Sequence, residues 1–181
     1  MMSRTLLLVG VAGVLAGSVL AADMPYAGQQ TRAVKALSDD EITALRKGEC
    51  MGMAKAAELN GYPGPAHVLQ LAGPLGLTDA QHRDVQAIFD RMSAAAKPLG
   101  SELIAQEQIL DQLFATRKIT PDRLAAETTA IAELQGRLRA VHLSAHLETR
   151  ALLNADQIAR YEQLRGYGDP PALGHHHHHD G

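Results

Sequence analysis

Between residues 79 and 115, apolar side chains recur at alternating four- and three-residue intervals. They are Val85, Phe89, Met92, Ala96, Leu99, Leu103, Leu110 and Leu113, with Gln106 in the one polar slot. This spacing lays a stripe along one face of a helix about ten turns long, and the stripe needs a partner along its whole length. The partner follows a short turn, Thr116-Arg117-Lys118-Ile119. Thr120-Pro121 then reads as an N-cap with proline at the first helical position. A second helix over about 121–152 carries Leu124, Ile131, Leu134, Leu138, Val141 and Ala145 on its inner stripe. Two long helices joined by so short a turn form an antiparallel hairpin.

Two copies of one pattern mark where helices begin: Leu77-Thr78-Asp79-Ala80-Gln81 and Leu153-Asn154-Ala155-Asp156-Gln157. Thr and Asn cap helices well, and a Gln three residues on bonds back to the cap's own amide. Asp79 and Asp156 add negative charge where the helix dipole favours it. Ser38-Asp39-Asp40-Glu41 opens a shorter helix in the same way, closed by Gly48. Met51 to Leu59 and His67 to Leu71 read as further short helices around the rigid turn Tyr62-Pro63-Gly64-Pro65. The last helix carries Ile158, Tyr161 and Leu164 and ends at Gly166. Pro98 lies inside the first long helix and predicts a kink or a break there.

The ends of the chain differ from its middle. Arg4 followed by the uncharged apolar run Thr5 to Leu20 and the small residue Ala21 reads as an export signal over 1–21. Residues 22–37 read as an extended arm, 38–166 as one helical domain, and 167–181 as a flexible histidine-rich tail. The fold expected is all-α: an elongated, kinked helical hairpin with short flanking helices, paired into a dimeric cradle. With no Trp, two Phe and four Tyr, the core must come from aliphatic residues, which suits helix-on-helix packing. A net charge of −3, becoming −4 without Arg4, argues against a nucleic-acid partner. No nucleophile elbow, phosphate loop or triad pattern points to an enzyme.

The two Leu-Thr/Asn-x-x-Gln motifs, the mid-helix Pro98 and the stretch Ala145-His146-Leu147-Glu148-Thr149 resemble the Spy/CpxP superfamily of bacterial periplasmic proteins. The resemblance covers about residues 77–165. It implies a cradle-shaped helical homodimer in the periplasm. It also implies one of several roles: ATP-independent chaperone, inhibitor of an envelope-stress sensor kinase, zinc-resistance protein or metal sensor.

Candidate chemistry lies in two places. His142 and His146 stand at i and i+4, so both imidazoles share one helix face and suit zinc, copper, nickel or cobalt. In an antiparallel hairpin, residue 146 lies level with about residue 90, which brings Asp90 or Met92 near the pair. The other reading is a seam where the histidines meet carboxylates or water. His175, His176, His177, His178 and His179 form a tract able to scavenge divalent metals, and read as native rather than as a purification tag. Cys50, Met51 and Met53 form a small soft-ligand cluster, although burial is the ordinary fate of a free thiol and Met is more often core filler. His67 and His82 stand alone and read as structural.

The second place is an apolar surface off the inner stripe: Ile88, Ile104, Ile109, Leu143 and Leu147 beside Arg83, Arg91, Arg137 and Arg139. Exposed together, they would hold unfolded clients through apolar contact and charge steering. The alternative is that they form a dimer interface or cover residues 38–72. The leading expectation is therefore a periplasmic chaperone or envelope-stress protein with linked divalent-metal binding and no required cofactor. Its partners would be unfolded proteins or a membrane sensor. The alternatives are a metal sensor or resistance protein without chaperone activity, and an adaptor that inhibits a sensor kinase.

Overall fold

The computed structural model describes residues 25–167. The export signal and the histidine tract lie outside these residues. Residues 25–30 belong to one unit, and a second compact unit begins at Thr31. This second unit holds six helices: α1 (Asp39–Lys47), α2 (Lys55–Glu58), α3 (Pro65–Gln70), α4 (Asp79–Ala115), α5 (Pro121–Leu152) and α6 (Ala155–Arg165). No strand occurs among the described residues. None of their helices is long and apolar enough to cross a membrane.

Helices α4 and α5 are the expected hairpin. At 1.5 Å per residue the 37 residues of α4 span about 55 Å. They pack along each other, while α1 lies on α4, α2 on α5, and α3 on both. Gln106, the polar slot in the stripe, is matched across the hairpin by Glu127, whose carboxylate accepts from its amide. Leu124 is the exception on the α5 stripe: it lies near the turn and is 40% exposed. The expected arm is only partly an arm, because Val34 is fully buried in the core and Lys35 pairs with Asp111 at 3.0 Å.

The hairpin buries two separate apolar clusters. One joins Val34, Ile42 and Leu45 to Ala96, Leu99, Leu103 and Ile104 of α4, and to Ile131, Leu134 and Leu138 of α5. The other joins Val68, Leu75, Val85, Leu153 and Tyr161. Pro98 does not break α4, which continues without interruption. Pro98 and Ala94, whose carbonyl it leaves unbonded, are both exposed, so water can satisfy that carbonyl. Next to it, Gly100 is buried against the last turn of α1. A Cβ there would stand 2.3 Å from the carbonyl oxygen of Leu45.

The three predicted capping boxes form, on Ser38, Thr78 and Asn154. Two of them are also bonded to each other. The Gln81 amide donates to Gln157 Oε1 at 2.9 Å, and the Gln157 amide donates to Gln81 Oε1 at 3.0 Å. Each oxygen still accepts from its own cap, Thr78 N–H and Asn154 N–H, both at 3.1 Å. The remaining amide hydrogens go to Leu152 and Leu75 carbonyls. This clasp ties the start of α4 to the start of α6 and closes the open end of the hairpin.

Two outcomes are expected. Gly100→Ala gains about 1 kcal/mol of helix propensity but drives Cβ into backbone, an overpacking cost of about 1–3 kcal/mol. Urea unfolding should therefore show a net loss, and a gain would mean that α1 does not press on Gly100. In a double-mutant cycle, Gln81→Ala and Gln157→Ala should show a coupling of about 1–3 kcal/mol. Additive effects would mean that the clasp contributes nothing.

Candidate metal centre

Along the hairpin, a polar layer separates the two apolar clusters. On α5 it starts with His142 and His146, one turn apart and both buried. On the facing side α4 presents Phe89, Met92 and Ser93, at i, i+3 and i+4, to the same space. Cys50 and Met51, in the turn between α1 and α2, complete one wall. Together these groups line a cavity of about 840 Å³ that Glu58 and His67 also reach.

Glu58 organises the layer. Its side chain is only 10% exposed. Oε1 accepts from the Tyr161 hydroxyl at 2.5 Å and the Tyr167 hydroxyl at 3.2 Å, with His67 Nδ1 at 3.4 Å and Arg165 Nε at 3.5 Å. Oε2 accepts from Gly64 N–H at 3.2 Å. A buried carboxylate needs this many partners to offset its lost hydration. Burial, and then the bond to Glu58, push the Tyr161 phenol far above its ordinary range, so it stays a donor.

His146 is oriented through its other nitrogen. Nδ1 lies 2.7 Å from the Tyr62 carbonyl oxygen, so Nδ1 carries the proton and donates. That choice of tautomer leaves Nε2 with a free lone pair. Arg150 stacks 5.0 Å from the centre of the Tyr62 ring and helps hold the segment in place. Gly64 matters here for space: a Cβ would stand 2.8 Å from His146 Nε2.

His142 is the anomaly. It is wholly buried, and neither ring nitrogen has a protein partner. Among the described residues these are the only buried side-chain polar atoms so placed. Thr149, equally buried one turn beyond His146, bonds back to the Ala145 carbonyl at 2.7 Å. Burial, and then the neighbouring His146 imidazole, hold His142 below the ordinary histidine range, so its ring is neutral at neutral pH.

Several expectations need correction. Asp90 does not approach the pair: it is exposed, and its carboxylate accepts from Gln86 at 2.9 Å. The helix turns about 100° per residue, so the face that aims Phe89 and Met92 inward aims Asp90 outward. Met92 takes the place expected of either residue. Met53 packs against the core cluster instead of joining Cys50. Ile88 and Ile104 are buried, Ile104 within the cluster formed with α1, so neither offers an exposed client surface. Leu143 is half-buried, and of the expected set only Ile109 and Leu147 are exposed. Arg137 and Arg139 are exposed as expected, whereas Arg91 pairs with Glu148 across the hairpin at 2.7 Å.

Glu58, Tyr161 and His67 had no sequence signal. Glu58 and His67 lie on neighbouring helices, α2 and α3, and only packing brings Tyr161, about a hundred residues on in α6, to them. Among the described residues, no three His, Cys, Asp or Glu side chains converge as a ready-made metal site. The site offers two imidazoles on one face, a thioether opposite, and a thiol in the same cavity.

Replacing His142 by Leu removes a desolvated, unbonded imidazole. The metal-free protein should gain about 1–2 kcal/mol of stability. The gain should widen in acid. Below about pH 6.5 the unfolded histidine takes up a proton and the buried one does not until lower pH, so wild-type stability falls with pH through that window. Urea midpoints at pH 7.5 and 5.5 check both expectations, and a destabilised His142→Leu protein would contradict them.

No family model, curated protein or solved structure matches the chain, so the reading of the site rests on its own geometry.

Proposed function

We propose that this chain is an exported metal-binding protein of the periplasmic sensor or resistance class, with His142 and His146 as its protein ligands. The observation that carries the reading is the buried His142 ring with no protein partner. A folded chain that leaves such a group unbonded sacrifices stability, and such sacrifices gather where a ligand binds. His146 supports it from the other side. Metal-bound histidines almost always donate their second nitrogen to a carbonyl or carboxylate, and His146 donates to Tyr62 with Glu58 alongside at 3.7 Å. The Spy/CpxP resemblance, with its metal sensors and resistance proteins, agrees with this role and with export by residues 1–21. The histidine tract, His175 to His179, would act as a separate, unstructured collector of metal.

A second reading, holding unfolded clients, draws on a different observation. Ile109, Phe114 and Leu124 near the hairpin turn are 46%, 53% and 40% exposed. Ile109 in this tip, with Leu147, is what remains of the expected apolar surface. It is the smaller support, because Ile88 and Ile104 belong to the core.

The deciding experiment is calorimetric titration with zinc. The protein is the full chain with the five tail histidines changed to serine, so that only the structured site reports. One ion per chain is expected. His142→Ala combined with His146→Ala should abolish it, and unchanged stoichiometry would refute the assignment. Suppression of aggregation of a denatured client by the same double variant, at wild-type strength, would favour the tip reading instead.

A further inference from the structure

We propose that the physiological ion at this cavity is cuprous copper, held by His142, His146 and the Met92 thioether, with Cys50 as a further soft donor. The inference rests on the metal-binding reading above and adds the identity of the ion.

The donor set decides it. Both Glu58 oxygens, the carboxylate nearest the histidines, are already taken by Tyr161, Tyr167 and Gly64. The other carboxylate lining the cavity, Glu49, has a side chain 57% exposed and lies 3.8 Å from Lys47. A hard cation, which wants several oxygens, is poorly served. Structural zinc takes its ligands from Cys, His and carboxylate, so it would leave the Met92 thioether in this cavity unused. What the cavity does offer is imidazole and sulfur: His142, His146, Met92, Cys50 and Met51. Thioether and thiolate select cuprous copper, an ion satisfied by two or three ligands.

Two further observations fit. His142, fully buried and unpartnered, belongs to the wall of the same cavity as Cys50 and Met92. Met51 holds a left-handed backbone at φ 48°, directly before Gly52 at φ 79°. That conformation suits glycine and is unfavourable for a bulky side chain. The turn nevertheless carries a thioether, 40% exposed at the cavity wall, where an incoming soft ion would first meet sulfur.

Binding needs no electron transfer. The copper stays cuprous, and the imidazoles and thioether donate lone pairs. Coordination by Cys50 releases its thiol proton to solvent.

The test uses the full chain with the tail histidines changed to serine, under anaerobic reducing conditions. Cuprous copper is titrated against a colorimetric cuprous chelator, and zinc is titrated in parallel. Wild type should take one cuprous ion per chain. Met92→Leu combined with Cys50→Ser should weaken it by at least the roughly 10- to 100-fold that loss of an outer-sphere partner costs a metal site. Zinc binding at the histidines should be unchanged, which also shows that the double variant is folded. His142→Ala should remove both ions. Zinc binding without cuprous binding, or cuprous affinity unaffected by the double variant, would overturn this inference and leave the metal-binding reading intact. Wild type that binds neither ion would overturn both.

Discussion

The reciprocal amide pair between Gln81 and Gln157 is the constraint on which the rest of this fold depends. An antiparallel helix pair is held at its turn by covalent geometry, but its open end is free to splay. Here the open end is closed by two side chains whose hydrogen-bonding groups are all used, each capping its own helix while bonding the other. Because Gln157 is buried, a broken pair would leave an amide without water or partner, which makes the closed arrangement strongly preferred. Closure fixes α6, and α6 carries Tyr161. Tyr161 holds Glu58, and Glu58 positions the turn that orients His146. The chain of contacts from helix cap to candidate ligand is continuous.

The polar layer explains why the hairpin has two apolar clusters instead of one. A continuous aliphatic seam would be more stable, since each buried polar group must be matched. Glu58 is matched several times over, and His146 once on its inner nitrogen. His142 is not matched at all. The contrast within one layer is informative. The packing is good enough to satisfy a buried carboxylate and a buried threonine, so His142 cannot be ascribed to loose packing. His142 lines the same cavity as Cys50 and Met92, and the functional proposal grows from that coincidence.

Much of the fold was legible in the chain. The ends of α4 and α5 coincide with the caps and turn read from residues 78, 116–120 and 153–154. Local chemistry determines such boundaries, so a sequence displays them. Pro98 was read as a kink or a break, and the break does not occur. Whether a helix survives a proline depends on which face the orphaned carbonyl meets, a matter of packing. The site was half legible. The spacing of His142 and His146 showed a shared face, and the hairpin register suggested Asp90 or Met92 as the neighbour. It could not choose between them, because two residues in α4 are enough to turn a side chain from cavity to solvent.

By itself, then, the sequence determined the helices, their caps, the hairpin and the pairing of two histidines on one face. Those features follow from periodicity and from bonds spanning three or four residues. Only the tertiary structure decided that the two capping glutamines clasp each other, and that Glu58, His67 and Tyr161 meet. It also decided that Ile88 and Ile104 belong inside, and that His142 is buried without a partner. These depend on contacts between segments tens of residues apart, where burial and geometry, not local propensity, determine which polar atoms are matched and which are left free.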